Sequence, residues 1–192
     1  MESKRGRTRH RPPLFAFASP WLNYTYCPTR IMLLISNRHP PILCSMGIMR
    51  IGHIEWNATQ VWERLWLGGR ADAEELAGGN PHCISTVLSL SEIPVERKRR
   101  GFNYLHLPVE DGERVPVQQF DAVMDAIAEN IRWGSVLLHC GVGVSRAPSF
   151  AGAYMAAVGY KNIDAAIKVI RQVRPFIHPS STLLKSLKEN LR

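Results

Sequence analysis

Cysteine is sparse in this chain: Cys27, Cys44, Cys83 and Cys140 are spread over 192 residues. No two form a C-x-x-C pair, and no histidine stands at the spacing that would complete a zinc site, so no metal is expected. Dense disulfide frameworks belong to short secreted chains, so this usage points to a reducing, cytoplasmic setting. No apolar run approaches the ~20 residues of a membrane span, and no internal repeat is visible. Acidic residues are scarce at one end only. Residues 1–54 carry eight Lys/Arg against one acid, a balance of +7, whereas residues 55–192 carry sixteen against fifteen. The formal charge of +8 therefore belongs to the first segment. The remainder lacks the basic footprint that nucleic-acid binding requires, and neither nucleic acid nor membrane is expected as a partner.

The first 54 residues also lack a hydrophobic period. They combine an Arg-rich start with Pro12-Pro13, Pro20, Pro28 and Pro40-Pro41. Leu14–Ala18 and Ile31–Ile35 are too short for a secretory core. The Arg content allows an organellar transit peptide, but the prolines oppose its amphipathic helix. The segment is read as a disordered leader, or as sequence preceding a start at Met46 or Met49, with one folded domain over 55–192.

What is present there is a regular alternation of elements. Gln60–Trp62 and Leu65–Leu67 read as two short strands about a tight turn. A short helix is expected from Asp72 with Glu75 as its capping-box partner. Cys83–Leu90 and Phe102–Val109 read as strands. From Pro116 to Gly134 the period turns helical, with Val117, Phe120, Val123 or Met124, Ile127 and Ile131 returning every three or four residues. Val136–His139 is a further strand. Helices are expected from Arg146 to Gly159, from Ile163 to Val173 before Pro175, and over Thr182–Leu191. Strands alternating with helices predict an α/β domain with a mostly parallel central sheet flanked by helices.

The most informative stretch is Leu137-Leu138-His139-Cys140-Gly141-Val142-Gly143-Val144-Ser145-Arg146. It places a thiol, a glycine-rich turn and a guanidinium between a strand and a helix. A bare Cys-x5-Arg is weak, because Cys44 to Arg50 repeats it. Only Cys140 has an apolar strand before it and a helix-compatible run after it, so Cys44 is read as coincidence.

These are the parts needed to attack a phosphate ester. A thiol is a nucleophile only as thiolate, and the positive end of a helix beneath a loop of inward amides favours that form. Gly141 and Gly143 would let successive N–H groups converge on one anion. Arg146 offers a planar fork for phosphate oxygens. His139 reads as a hydrogen-bonded structural residue. The leaving oxygen needs a proton, and Asp111 in the acidic turn Glu110-Asp111-Gly112-Glu113 is the preferred donor, with Glu110 and Glu113 as rivals.

The motif His139-Cys140-x-x-Gly143-x-Ser145-Arg146 resembles the phosphate-binding loop of the protein tyrosine phosphatase superfamily, and its surroundings resemble the dual-specificity branch. Leu65-Trp66-Leu67-Gly68 is similar to that branch's opening strand. Pro108-Val109-Glu110-Asp111 is similar to its general-acid loop, and Val173-Arg174-Pro175 to the segment before its last helix. The resemblance implies that Cys140 forms a phosphocysteine and that Asp111 serves as acid and then base. It also implies that Arg146 and the amides of Gly141, Val142, Gly143, Val144, Ser145 and Arg146 cradle the phosphate. No cofactor is implied, and the partner would be a phosphorylated protein. Val142 and Val144 are neutral where phosphoinositide-preferring relatives are basic. A non-catalytic phospho-binding module and an RNA 5′-triphosphatase are the alternatives. One position departs from the pattern: relatives carry Ser or Thr after the loop arginine, and here that place is Ala147.

Overall fold

The computed structural model describes residues 57–192. The leader expected over 1–54, with Cys27 and Cys44, lies outside the described residues. Five strands occur in chain order: β1 (Thr59–Trp62), β2 (Leu65–Gly68), β3 (Ile84–Ser89), β4 (Asn103–His106) and β5 (Ser135–His139). The helices are α1 (Arg70–Glu75), α2 (Val117–Ile131), α3 (Arg146–Ala157), α4 (Ile163–Val173) and α5 (Ser181–Asn190). The strands form one sheet in the order β1-β2-β5-β3-β4, antiparallel only between β1 and β2.

Both faces of the sheet are apolar, as parallel strands require. Leu65, Leu67, Leu88, Val136 and Leu138 face a large core to which α2, α3, α4 and α5 contribute. Their strand neighbours Trp66, Val87 and Leu137 face the other way, onto a small cluster closed by Ala73 of α1 and Leu76 at its C-cap. The helical cover is therefore unequal, four helices against one. The period-3.6 pattern of α2 buries Phe120, Val123 and Ile127, and α4 starts on an Asn162 side chain that accepts from the Ala165 amide at 2.9 Å.

Several boundaries differ from the sequence expectation by a residue or more, and three of these differences have a clear local cause. The strand expected to reach Val109 ends at His106, because Pro108 has no N–H for the ladder. Single bonds, Leu107 N to Ser89 O and Val109 N to Leu90 O, still tie the departing chain to the end of β3. Cys83 stands outside β3 with φ of 51°, a left-handed backbone that no strand contains. Helix α1 begins two residues before Asp72, with Gly69 as N-cap; Asp72 itself closes the capping box, its Oδ2 accepting from Gly69 N at 2.7 Å.

Candidate active site

The parallel strands β5, β3 and β4 all deliver their C-terminal ends to one side of the sheet, where crevices of such sheets lie. There β5 stops at His139, and Cys140 to Ser145 loop directly into α3. Cys140 is 2% exposed, at the floor of a cleft of about 610 Å³. Gly141, Val142, Val144, Ser145 and Arg146 line the same cleft, joined from other elements by Asp111, Gly112, His178 and Ser180.

Helix α3 has no side-chain cap and no acid in its first turn, so its N-terminal amides stay open to an anion. The two loop glycines are not equivalent. Gly143 has φ of +71°, and a Cβ there would lie 2.6 Å from both Gly68 O and Arg174 Nη2. It packs backward against the loop's support and does not line the cleft. Gly141 keeps an ordinary φ, and its nearest would-be neighbour is Arg146 Nη2 at 3.6 Å. The conformational freedom expected of both is required only of Gly143.

Arg146 is buried, and its Nη1 is fixed from behind. Nη1 donates to Val109 O at 2.9 Å, to Leu90 O at 3.4 Å and to Glu92 Oε1 at 2.5 Å. No hydrogen bond engages the opposite edge among the described residues. Nε is buried without a partner, and its nearest opposite charge is Asp111 Oδ2 at 3.9 Å. The Nε–Nη2 edge, two parallel N–H donors facing the loop, is the geometry that grips two oxygens of a phosphate. Glu92 is held below the ordinary carboxylate range first by a hydrogen bond from its own backbone and then, against desolvation, by Arg146.

Asp111 stands over the loop, its Oδ1 accepting from Ser145 Oγ at 2.7 Å. Its neighbours Glu110 and Glu113 are exposed and do not line the cleft. His139 is fully buried, with Nδ1 3.2 Å from Cys140 O and Nε2 without a partner. Burial pushes its pKa down to about 4, the backbone bond to Cys140 opposes this, and the charges of His106 and Arg70 add to the lowering. The ring is therefore neutral near pH 7 and organises the loop backbone.

Ala147 is fully buried in the main core beside Cys140, so no hydroxyl stands there. The nearby serines are engaged elsewhere: Ser149 Oγ donates to Ser145 O at 2.8 Å, and Ser145 Oγ serves Asp111.

The likeness extends beyond the motif. The family described as "Dual specificity phosphatase, catalytic domain" matches residues 65–192. This chain belongs to that family. A probable dual specificity protein phosphatase of Dictyostelium discoideum is 28% identical over 133 residues, 69% of this chain and 62% of the relative. Human dual specificity protein phosphatase 15 is 29% identical over 65% of this chain and 43% of the relative. The chain thus spans about half the length of these curated relatives. The crystal structure of DUSP15 superposes with a TM-score of 0.63 at 26% identity, covering 70% of this chain and 86% of that one. A mouse putative dual specificity phosphatase crystallised with zinc tungstate gives 0.64 at 22%, over 72% of this chain and 89% of that one, a likeness of fold.

Two residues of this phosphatase domain escaped the sequence reading. Glu92 lies on the loop after β3 with no motif to mark it. Arg174, quoted only within a family-like segment, is a buried guanidinium behind the loop. Its Nε donates to Gly143 O at 3.1 Å, and its Nη1 donates to Asn57 O at 2.6 Å and Thr59 Oγ1 at 3.1 Å. Burial pulls its pKa down, opposed by Asp72 and Cys140, whose sulfur lies within electrostatic range. The loop is clamped from a second side by Arg70 N, which donates to Gly141 O at 2.9 Å.

Proposed function

We propose that the chain hydrolyses phosphotyrosine, and phosphoserine or phosphothreonine, on protein substrates through a phosphocysteine intermediate. The observation that carries this reading is the buried, unpartnered Nε of Arg146, which lines the same cleft as Cys140 and lies 3.9 Å from the Asp111 carboxylate, with no hydrogen bond to Nη2 among the described residues. An anion held between the Nε–Nη2 edge and the α3 amides has its phosphorus within reach of the sulfur at the floor of the cleft. The sulfur attacks phosphorus, the ester oxygen leaves with the Asp111 proton, and the resulting carboxylate then takes a proton from the water that attacks the phosphocysteine. Arg146 and the amides stabilise the equatorial oxygens in both steps. The openness of the cleft to Val142 and His178 at its rim supports phosphoserine and phosphothreonine as well as phosphotyrosine. A free nucleophilic thiol suits a reducing, cytoplasmic setting.

The test is hydrolysis of nitrophenyl phosphate by the whole chain, followed by a phosphopeptide panel captured with Asp111→Ala. Cys140→Ser should abolish turnover, whereas Cys44→Ser should leave it unchanged. Full activity in Cys140→Ser would remove the reading.

A further inference from the structure

The phosphate cradle of this site is cationic, but its rim is acidic. Glu92 touches Arg146 with a side chain that is 59% exposed. Asp111 lines the cleft, and the exposed Glu110 and Glu113 stand beside it on the same turn. Two cations near the site, Arg70 beside the phosphate loop and Arg114 next to Glu113, are already matched. Arg70 lies 3.6 Å from Glu74, and Arg114 is bonded to Glu189 at 2.5 Å. Among the described residues no lysine lines the cleft, and Arg146 is its one arginine.

The cationic run Arg97–Arg100 does not compensate. The backbone of Arg99 donates to Tyr104 Oη at 3.0 Å, and its guanidinium and the Lys98 ammonium lie over Phe102 and Tyr104. These contacts tie the run to the start of β4, whereas the cleft lies at the other end of the parallel strands. The rest of the rim adds no fixed positive charge: His178 and Ser180 line the cleft beside Val142, which is 73% exposed, and Ile93, next to Glu92, is 53% exposed. A bound phosphate thus meets one charged fork and the loop amides, while a further negative charge on the same ligand meets Glu92, Glu110, Asp111 and Glu113, with His178 the one further titratable group lining the cleft besides Cys140 and Arg146 among the described residues.

From this we infer that the site selects singly phosphorylated protein segments whose flanking residues are basic or apolar, and rejects those flanked by acids or a second phosphate. The occupant rests on the phosphatase reading above. The selectivity rests on the acidic rim alone. Glu110 and Glu113 are the residues assigned to it, since neither makes a hydrogen bond within the described residues and neither lines the cradle.

The experiment compares phosphotyrosine peptides identical except for Lys/Arg or Asp/Glu at the two positions on each side. Binding to Cys140→Ser protein is read by fluorescence polarisation, and kcat/KM is read on the wild type. The basic peptide should win by roughly fivefold or more at low salt, because several individually weak exposed charge pairs act together. The advantage should shrink at 0.5 M salt as screening sets in. Glu110→Lys combined with Glu113→Lys should abolish or reverse it. Equal binding of both peptides, or a preference that survives the double substitution, would overturn the inference. Wild type that binds the basic peptide preferentially yet leaves nitrophenyl phosphate intact would sustain the inference and overturn the phosphatase reading.

Discussion

Ser145 occupies the N-cap of α3, yet its hydroxyl donates to the Asp111 carboxylate, Oγ to Oδ1 at 2.7 Å, and not to the helix. A serine at this position ordinarily accepts from an amide of the first turn. Here those amides remain free for an anion, and the same side chain ties the acidic turn to the phosphate loop. The amide of Ser180 approaches the same oxygen at 3.4 Å, so three segments meet at one hydroxyl.

The first prediction concerns this tie. Asp111→Asn should slow alkyl phosphates strongly and nitrophenyl phosphate much less, since a good leaving group needs little proton donation. Ser145→Ala should show the same pattern at smaller size, a loss of about fivefold on alkyl phosphates, in line with one hydrogen bond of about 1 kcal/mol. Equal losses on both substrates for Asp111→Asn, or a larger effect from Glu113→Gln, would move the proton elsewhere.

The second prediction separates the loop glycines. Gly143→Ala must place a Cβ where Gly68 O and Arg174 Nη2 already lie, in a backbone conformation that side chains disfavour. It should lower Tm by well over 5 °C and abolish turnover, whereas Gly141→Ala should melt within about 2 °C of wild type. Arg174→Lys retains charge but cannot reproduce the bonds to Gly143 and the chain near Asn57. It should raise KM more than it lowers kcat, because the cradle loosens while Cys140 and Asp111 remain. Steady-state kinetics with melting curves decides both.

The third prediction rests on Ala147. If a hydroxyl at that place assists water in opening the phosphocysteine, its absence makes the second step slow. Activated aryl phosphates should then give a pre-steady-state burst of phenol. Ala147→Ser should raise kcat and shrink the burst with kcat/KM little changed, an effect of at most about 1.5–3 kcal/mol. Ser145 and Ser149 are poor substitutes, because both hydroxyls are already bonded. Rapid mixing without a burst, together with unchanged kcat in Ala147→Ser, would count against it.

The fourth prediction is a pH dependence of stability. His139 titrates near pH 4 in the folded chain and near 6.5 when unfolded. Between those values the unfolded chain binds the extra proton, so stability is intact above pH 6.5 and falls as pH drops toward 4, by roughly 3 kcal/mol in all. His139→Asn removes this titration. Its denaturant midpoint should fall less steeply than wild type between pH 6.5 and 4.5, and parallel slopes would show that other groups govern acid unfolding.

The sequence by itself determined the features written in local pattern. The 3.6-residue period of α2 and α4, the β-branched run of β3 and the strand, glycine loop and helix around Cys140 each depend on neighbours a few residues apart, and each forms in the expected place, β3 one residue shorter at each end. Asp111, preferred from the sequence as proton donor, lies five residues beyond β4 and lines the cleft. The fold adds that Glu110 and Glu113, the rivals on the same turn, do not line the cleft.

Tertiary structure alone decided the rest. Glu92 and Arg174 reach the site from 54 residues before Arg146 and 31 residues after Gly143, and no spacing rule encodes a contact across that distance. The unequal requirement for Gly141 and Gly143 follows from what lies behind the loop, the carbonyl of Gly68 and the guanidinium of Arg174. The start of α1 was misplaced for a similar reason: Asp72 has the composition of a cap, but its carboxylate closes on Gly69 and Asn57 at the edge of the sheet. A one-dimensional pattern specifies which face of an element is buried. Which distant charge comes to rest against it is fixed only when the sheet order brings the strand ends together.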